Sequence, residues 1–255
     1  MKELEEVKAK IAEACRRAGR EAGEVKIVAV TKTHGPEVVE EAFAAGLDIA
    51  GENKVQEAMW KKPQCNSRIC WHLIGHLQTN KVRQALATFD YFHSIDSARL
   101  LDKMQAVAEA EGLRPRVLLE VNVAGEKSKS GMKIEDTPYI IEHAMLNCPR
   151  IEIEGLMAMA PFSPKPEDSR PYFRRLKELQ IQMRKVSGLY LPELSMGMSG
   201  DYQVAVEEGA TFVRLGTVLF GARPKLKRTV AADDGAMGGG LDSFSGEGPT
   251  YKIID

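Results

Sequence analysis

Lys32 is the residue whose position most clearly suggests chemistry, because it closes the apolar run VKIVAVTK at positions 25–32. A lysine at the end of a buried strand loses part of its hydration, which lowers its pKa and makes its amine a nucleophile toward an aldehyde. The alternative is an ordinary lysine whose ammonium group reaches water just beyond the strand. Lys32 alone does not separate these two interpretations.

A second chemical feature follows another apolar run, in the sequence SMGMSGD at 195–201, which leads into the helical pattern YQVAVEEGA. Small residues before a helix leave backbone N–H groups exposed, and the hydroxyl of Ser199 adds a donor, so Ser199 and Gly200 are candidates for holding an anion. The alternative is an ordinary helix cap. Met198 borders this candidate site.

A third feature is Arg214-Leu215-Gly216-Thr217, which combines a cation, an exposed backbone and a hydroxyl within four residues. An aldehyde that carries a phosphate would need both a reactive amine and an anion site. Lys32 together with Ser199, Gly216 and Thr217 would meet that requirement if the fold brought them together.

The elements that must position these residues are eight short apolar runs, each followed by a helix-compatible stretch. The runs lie at 25–32, 47–53, 69–76, 91–96, 116–123, 151–160, 193–199 and 212–221. Alternating strands and helices predict a parallel α/β sheet, and eight such units predict a single (β/α)8 TIM-type barrel. The alternative, an open doubly wound sheet, would carry a Gly-rich fingerprint in its first strand-to-helix turn, which here reads TKTHGPEVV.

The two ends of the chain differ from this pattern. Apolar residues at helical spacing predict an extra amphipathic helix over 2–19, packed against the body. We expect the barrel to span 1–223. Residues 224–255 are rich in Gly, Asp and Ser and are expected to form a disordered tail, whose terminal TYKIID is either an apolar remnant or a docking strand for an adaptor function.

Composition excludes several classes of function. Thirty-five basic and thirty-six acidic residues give a net charge of −1, which favours neither nucleic acid nor a membrane surface. The charged N-terminus lacks a secretory signal, so a cytoplasmic location is expected. The four cysteines form no C-x-x-C pair. Cys70, His72 and His76 alternate along one strand and could ligate zinc, but packing roles are favoured and no metal site is predicted.

The motifs AVTKTH, GENKVQEA, WHLIGHLQTNK, HSID, NVAGEKSKSG, GLMAMAP, SMGMSGD and VRLGTVLFGAR together resemble the pyridoxal phosphate (PLP) homeostasis protein family. These proteins are described as alanine racemase N-terminal-domain-like, and the resemblance covers about residues 20–223. It implies a single-domain barrel that carries PLP as a Schiff base on Lys32. It also implies that Ser199, Gly200, Gly216 and Thr217 hold the phosphate, that Arg214 faces the pyridine nitrogen, and that Asn53 lies in the same pocket.

The resemblance further implies a role in PLP homeostasis and in amino- and keto-acid balance, without an established catalytic turnover, so no catalytic residue is assigned. A permanent cation at the ring nitrogen disfavours the protonated ring that accepts electrons. The alternative is a small PLP-dependent amino-acid racemase, although the short sequence beyond Gly221 offers no second domain to supply another base. The expected partners are PLP and PLP-dependent apoenzymes, with the chain a monomer or weak homodimer.

Overall fold

The structure, a computed structural model, describes residues 1–126 and 130–221 and contains a closed barrel of eight parallel strands in chain order. The strands are β1 Lys26–Val30, β2 Ile49–Glu52, β3 Cys70–Leu73, β4 Tyr91–Ile95, β5 Arg116–Glu120, β6 Glu152–Met157, β7 Glu193–Met198 and β8 Phe212–Leu215. The helices are α1 Lys2–Arg17, α2 Pro36–Ala44, α3 Val55–Lys61, α4 Val82–Thr88, α5 Ala98–Glu111, α6 Thr137–Asn147, α7 Arg170–Ser187, α8 Tyr202–Glu207 and α9 Thr217–Phe220. The predicted (β/α)8 barrel is confirmed.

Barrel closure pairs the first strand with the last, with Lys26 opposite Phe212 and Ala29 opposite Leu215. A small apolar cluster that includes Val28, Leu118 and Phe212 lies inside the barrel. A second and larger core lies between the strands and the surrounding helices. Because the strands are covered on both faces, their sequences are nearly continuous apolar runs, and this property made them recognisable.

The predicted N-terminal helix is present as α1 and buries Leu4, Val7 and Ile11, which recur every three or four residues. It packs against α8 and α9. An ion pair between Arg17 and Glu207 of α8 joins it to the barrel at its C-terminal end. The extra helix therefore belongs to the outer helical layer.

The predicted strand at 212–221 was wrong in its second half. β8 ends at Leu215, and the amides of Leu219 and Phe220 donate to the carbonyl oxygen of Gly216 at 2.8 and 2.9 Å to form α9. The apolar residues of this short helix resemble a strand continuation because four residues are too few to show a helical period. The chain beyond Gly221, including the expected tail and TYKIID, lies outside the described residues. None of the helices within the described ranges is long and apolar enough to cross a membrane.

Candidate cofactor-binding site

Lys32 lies in the loop between β1 and α2, where its side chain is half-buried. The backbone on either side of it is fixed. The amide of Thr31 donates to the carbonyl oxygen of Gly51 on β2 at 3.1 Å, and that of His34 donates to Thr31 at 3.1 Å. Thr33 has φ of +70°, a left-handed conformation that a β-branched residue rarely adopts without support from its surroundings. The loop thus holds Lys32 at the C-terminal end of the barrel.

The support for this loop comes from a buried lysine that sequence reasoning missed. The ammonium group of Lys61 is 1% exposed and donates to the carbonyl oxygen of Thr31 at 2.9 Å. It also donates to Oε1 of Glu52 at 2.8 Å and to Oε1 of Glu57 at 2.7 Å. Both acceptors reach the loop as well, since the Thr31 hydroxyl donates to Glu52 at 2.7 Å and the Thr33 amide donates to Glu57 at 2.6 Å.

These contacts form a network of two carboxylates, one ammonium and two loop residues, which we call the Lys61 network: Thr31, Thr33, Glu52, Glu57 and Lys61. Burial raises the pKa of Glu52, and the charge of Lys61 opposes that rise. A sequence signal was available, because Lys61 follows the buried Val55 and Ala58 at intervals of three on α3. That spacing puts an apparently ordinary lysine on the buried face of the helix.

The candidate anion site forms where the loops after β7 and β8 meet. The hydroxyl oxygen of Ser199 accepts from the amide of Gly216 at 3.4 Å and from the amide of Val218 at 3.2 Å. The carboxylate of Asp201 accepts from the amide of Met198 at 2.7 Å and so fixes the first loop. The structure therefore brings Ser199 and Gly216 together.

The remaining residues of the candidate anion site lie around this contact. Gly200 and Thr217 are exposed, and Thr217 begins α9. Met198, 39% exposed, ends β7.

This candidate anion site lies beside the strand that precedes Lys32. A Cβ added to Gly216 would lie 3.4 Å from the Cβ of Val30, the last residue of β1. Further out, the ring of His34 lies 5.6 Å from that of Phe220 on α9. Because β1 and β8 are neighbours, the amine of Lys32 and the candidate anion site occupy the same sector of the barrel mouth. Asn53 follows β2, and its backbone packs closely against Gly75. A Cβ added to Gly75 would lie 2.5 Å from the backbone carbonyl oxygen of Asn53.

Arg214 points into the barrel and is buried. Its Nη1 donates to the hydroxyl oxygen of Ser195 at 2.6 Å and its Nη2 donates to the carbonyl oxygen of Ala158 at 3.1 Å. Burial lowers the pKa of Arg214 to about 10, with the charge of Glu120 opposing the shift, so the guanidinium stays cationic at neutral pH.

Glu120 is a further residue that the sequence did not single out. It ends β5 and is 3% exposed. Burial raises the pKa of Glu120 to about 7, with the charge of Arg214 opposing the shift. Its position after the apolar run RVLL was the available signal, since a charged residue that ends such a strand in a barrel faces the mouth or the interior.

Cys70, His72 and His76, the residues of the zinc alternative, do not come together as a group of potential metal ligands within the described residues. His72 bonds to His93, while His76 is exposed and lies 3.4 Å from a carboxylate oxygen of Asp96. The described residues contain one group of three potential ligands on the outer helices: Asp102, His143 and Cys148. In this group His143 and Asp102 are joined by a hydrogen bond of 2.6 Å.

A cavity of about 520 Å³ opens at the other end of the barrel, which we call the basal cavity. Its lining includes residues that begin the strands, among them Lys26, Cys70, Arg116, Glu193 and Phe212. In a barrel of parallel strands, the first residues of all strands lie at one end and the last residues lie at the other end. The basal cavity is therefore separate from the mouth that carries Lys32.

The chain matches a family model described as alanine racemase, N-terminal domain, over residues 3–224. The fold and this match define the class: a barrel of the alanine racemase N-terminal-domain type. The alanine racemase of Clostridium difficile 630 has the same fold, with a TM-score of 0.65 at 13% identity over 85% of this chain and 56% of that one.

Within this class, the chain belongs to the pyridoxal phosphate homeostasis protein family. It is 43% identical over 221 residues to the pyridoxal phosphate homeostasis protein of Aquifex aeolicus (strain VF5), covering 86% of this chain and 96% of that protein. The human protein of the same name is 38% identical over 80% of this chain and 78% of its own length. PipY of Synechococcus elongatus PCC7942, solved with PLP bound, has a TM-score of 0.73 at 34% identity over 83% of this chain and 100% of that one.

Proposed function

We propose that this protein binds PLP as a Schiff base on Lys32 and takes part in PLP homeostasis as a carrier or regulator. The observation that carries the proposal is the contact between the Ser199 hydroxyl and the amides of Gly216 and Val218, beside the strand that leads to Lys32. Backbone amides and hydroxyls are the donors that phosphate groups need, and the half-buried amine is the group that an aldehyde needs. The residues present therefore fit PLP chemically.

The proposal gives each candidate residue a role. Ser199, Gly200, Gly216 and Thr217 would bind the phosphate, and Met198 would border it. Asn53 would line the pocket beyond β2. Arg214 would lie on the side of the ring nitrogen, deeper in the barrel than the phosphate site.

Bound PLP supplies an electrophilic aldehyde and a ring that can accept electrons when its nitrogen is protonated. Arg214, cationic and buried, disfavours a second positive charge beside it. The side chains proposed for the pocket thus support holding the cofactor more than using it. This is the physical reason to prefer a carrier or regulator over a catalyst.

The test is the visible absorption of the purified protein before and after borohydride reduction, followed by peptide mass mapping. We expect a band that reduction removes and a pyridoxyl adduct on the peptide that contains Lys32. Lys32→Ala should lose the adduct, whereas Lys103→Ala, which removes an exposed lysine on α5, should keep it. A protein that takes up no added PLP, or an adduct that persists in Lys32→Ala, would refute the assignment.

A racemase is the second candidate, and Glu120 is the observation that favours it. Racemisation by two bases needs a second group that exchanges protons near neutral pH, and the pKa of Glu120 is raised to about 7 by burial. The test is exchange of α-deuterium from labelled amino acids into solvent. Exchange that depends on Glu120, and is lost in Glu120→Gln, would support the racemase; background exchange for the whole panel would remove it.

The proposal extends to partners and location. A carrier would deliver PLP to PLP-dependent apoenzymes in the cytoplasm as a monomer or weak homodimer. Mixing the loaded protein with an apoenzyme and an excess of free-PLP scavenger separates direct transfer from release. Activation that survives the scavenger would support direct delivery, and light scattering would give the oligomeric state.

A further inference from the structure

The interior of the barrel contains a row of four polar side chains joined by hydrogen bonds, which we call the axial chain: Arg214, Ser195, His93 and His72. Arg214 Nη1 lies 2.6 Å from Ser195 Oγ. Ser195 Oγ lies 2.8 Å from Nδ1 of His93, and Nε2 of His93 lies 2.8 Å from Nδ1 of His72. All four residues are buried, and His72 lines the basal cavity at the far end.

The hydrogen-bonding capacity of Ser195 favours one direction for the axial chain. A guanidinium has only donors, so the Ser195 oxygen accepts from Arg214, and its second lone pair and its hydrogen allow it either to accept from Nδ1 of His93 or to donate to it. Among the described residues the Ser195 hydroxyl contacts only these two side chains, so donation to His93 is the arrangement that gives its buried hydrogen an acceptor. In that arrangement His93 carries its hydrogen on Nε2 and donates to Nδ1 of His72, whose own hydrogen lies on Nε2.

Both histidines must be neutral for this pattern to hold. A cationic His93 would be a donor on both sides, and the Ser195 oxygen would face two cations in a buried row. Burial lowers the pKa of His72 to about 3 and holds the pKa of His93 well below its usual value. The charges of Arg116 and Lys26 near His72, and of Arg214 near His93, act in the same direction.

We propose that Ser195 and His93 are positioning residues that orient the Arg214 guanidinium for the cofactor ring. The inference rests on the proposed function, because only bound PLP gives Arg214 a ring to face. Within the described residues, two hydrogen bonds anchor the Arg214 side chain, and the serine that accepts one of them is itself bonded to His93. Without the Ser195 contact, the one hydrogen bond that the described residues leave to the guanidinium is that to the carbonyl oxygen of Ala158, about which it can rotate.

The first test uses the protein without PLP and so does not depend on the proposed function. Long-range ¹H–¹⁵N correlation NMR reads the tautomer of each imidazole. We expect His93 and His72 to be neutral and protonated on Nε2 from pH 5 to pH 8. A hydrogen on Nδ1 of either ring, or protonation of His93 in this range, would overturn the axial chain.

The second test replaces His93 with each of two amide side chains, so that its two hydrogen bonds are removed one at a time. The amide of asparagine lies near the Nδ1 position of histidine, so His93→Asn can keep the contact with Ser195 while losing that with His72. The amide of glutamine reaches the Nε2 position, so His93→Gln can keep the contact with His72 while losing that with Ser195.

The readout is the absorption maximum of the bound cofactor and its pH titration, with Arg214→Met as the reference for a lost guanidinium. We expect His93→Asn to resemble the wild type, and His93→Gln and Ser195→Ala to shift toward Arg214→Met. Identical spectra for His93→Asn and His93→Gln would overturn the positioning role. A wild-type protein that binds no PLP would instead refute the proposed function and leave the tautomer result standing.

Discussion

Replacing Lys61 with methionine tests whether the loop that carries Lys32 depends on one buried charge. Methionine keeps most of the length and apolar volume of the side chain but removes the ammonium group. The change leaves the carbonyl oxygen of Thr31 without this donor, and it leaves the carboxylates of Glu52 and Glu57 without their shared cation. Glu52 is fully buried, so water does not replace the lost partner.

The size of the effect follows from the burial of the pair. Removing one partner of a buried ion pair destabilises a protein by about 3–5 kcal/mol, because an uncompensated charge remains in the interior. For a chain of this size each kcal/mol lowers Tm by about 2–4 °C. We therefore expect Lys61→Met to lower Tm by roughly 6–20 °C. We also expect weaker retention of PLP, since Thr31 and Thr33 lie on either side of Lys32.

The pH dependence gives a sharper signature. Burial raises the folded-state pKa of Glu52 above the ordinary value of 4.5, so the folded state binds this proton more tightly than the unfolded state does. The contribution of Glu52 to the free energy of unfolding therefore decreases as the pH rises from the pKa of Glu52 in the unfolded state to its pKa in the folded state. Loss of Lys61 raises the folded pKa further. The destabilisation by Lys61→Met should therefore be larger at pH 8 than at pH 5.

Urea unfolding at the two pH values measures both effects. Lys103→Met is the matched control, because it makes the same chemical change on the exposed face of α5 and should stay within about 0.5 kcal/mol of the wild type. Adding Glu52→Gln to Lys61→Met should recover part of the loss at pH 8. A Lys61→Met protein no less stable than the Lys103→Met control, or equally destabilised at both pH values, would refute the reasoning.

Three further predictions concern other parts of the barrel. Because burial raises the pKa of Glu120 from 4.5 to about 7, the free energy of unfolding of the wild type should fall by about 2–3 kcal/mol between pH 5 and pH 8. Glu120→Gln does not ionise, so in urea titrations its stability relative to the wild type should rise by that amount over the same range. A stability difference that does not change with pH would contradict the shift. Gly197 and Gly46 share φ of +90°, but only at Gly197 would a Cβ meet a neighbour within 4 Å, the Cβ of Ala205 at 2.5 Å. Gly46→Ala should thus cost about 1–2 kcal/mol and Gly197→Ala more, with weaker PLP retention, as followed by thermal unfolding and absorbance. Leu4→Ala on the buried face of α1 should cost about 2–5 kcal/mol, whereas Leu146→Ala at an exposed position should cost less than about 0.5; equal losses would mean that α1 does not contribute to the folded barrel.

The fold was predictable because each strand is buried on both faces. This makes every strand an apolar run, and the runs could be counted. The same property made their ends unreliable, since residues just past a strand are also apolar when they line the barrel mouth. The run at 151–160 therefore extended beyond β6, which ends at Met157, and the run at 212–221 concealed a short helix.

The contact between Ser199 and Gly216 could be predicted from the order of the strands alone. Consecutive strands in a barrel are neighbours, so the loops after β7 and β8 must lie side by side, and closure places β1 next to β8. The axial chain could not be anticipated in this way. His93 on β4 contacts Ser195 on β7, and strands so far apart in the order meet only across the interior of a closed barrel. The order of the strands in the sequence predicts which strands are neighbours, but it does not predict contacts across the interior.

The two residues proposed to act on the aldehyde and the ring are supported from opposite sides of the barrel wall. Lys32 depends on the Lys61 network, which joins the end of β1 to β2 and α3. Arg214 depends on the axial chain, which lies inside the barrel and shares no residue with that network. Neighbouring strands thus present side chains whose geometries are set independently. Under the proposed function, such a barrel would keep its covalent attachment point at Lys32 while the surroundings of the ring changed, so retention of the cofactor and suppression of its reactivity would be separable properties of one fold.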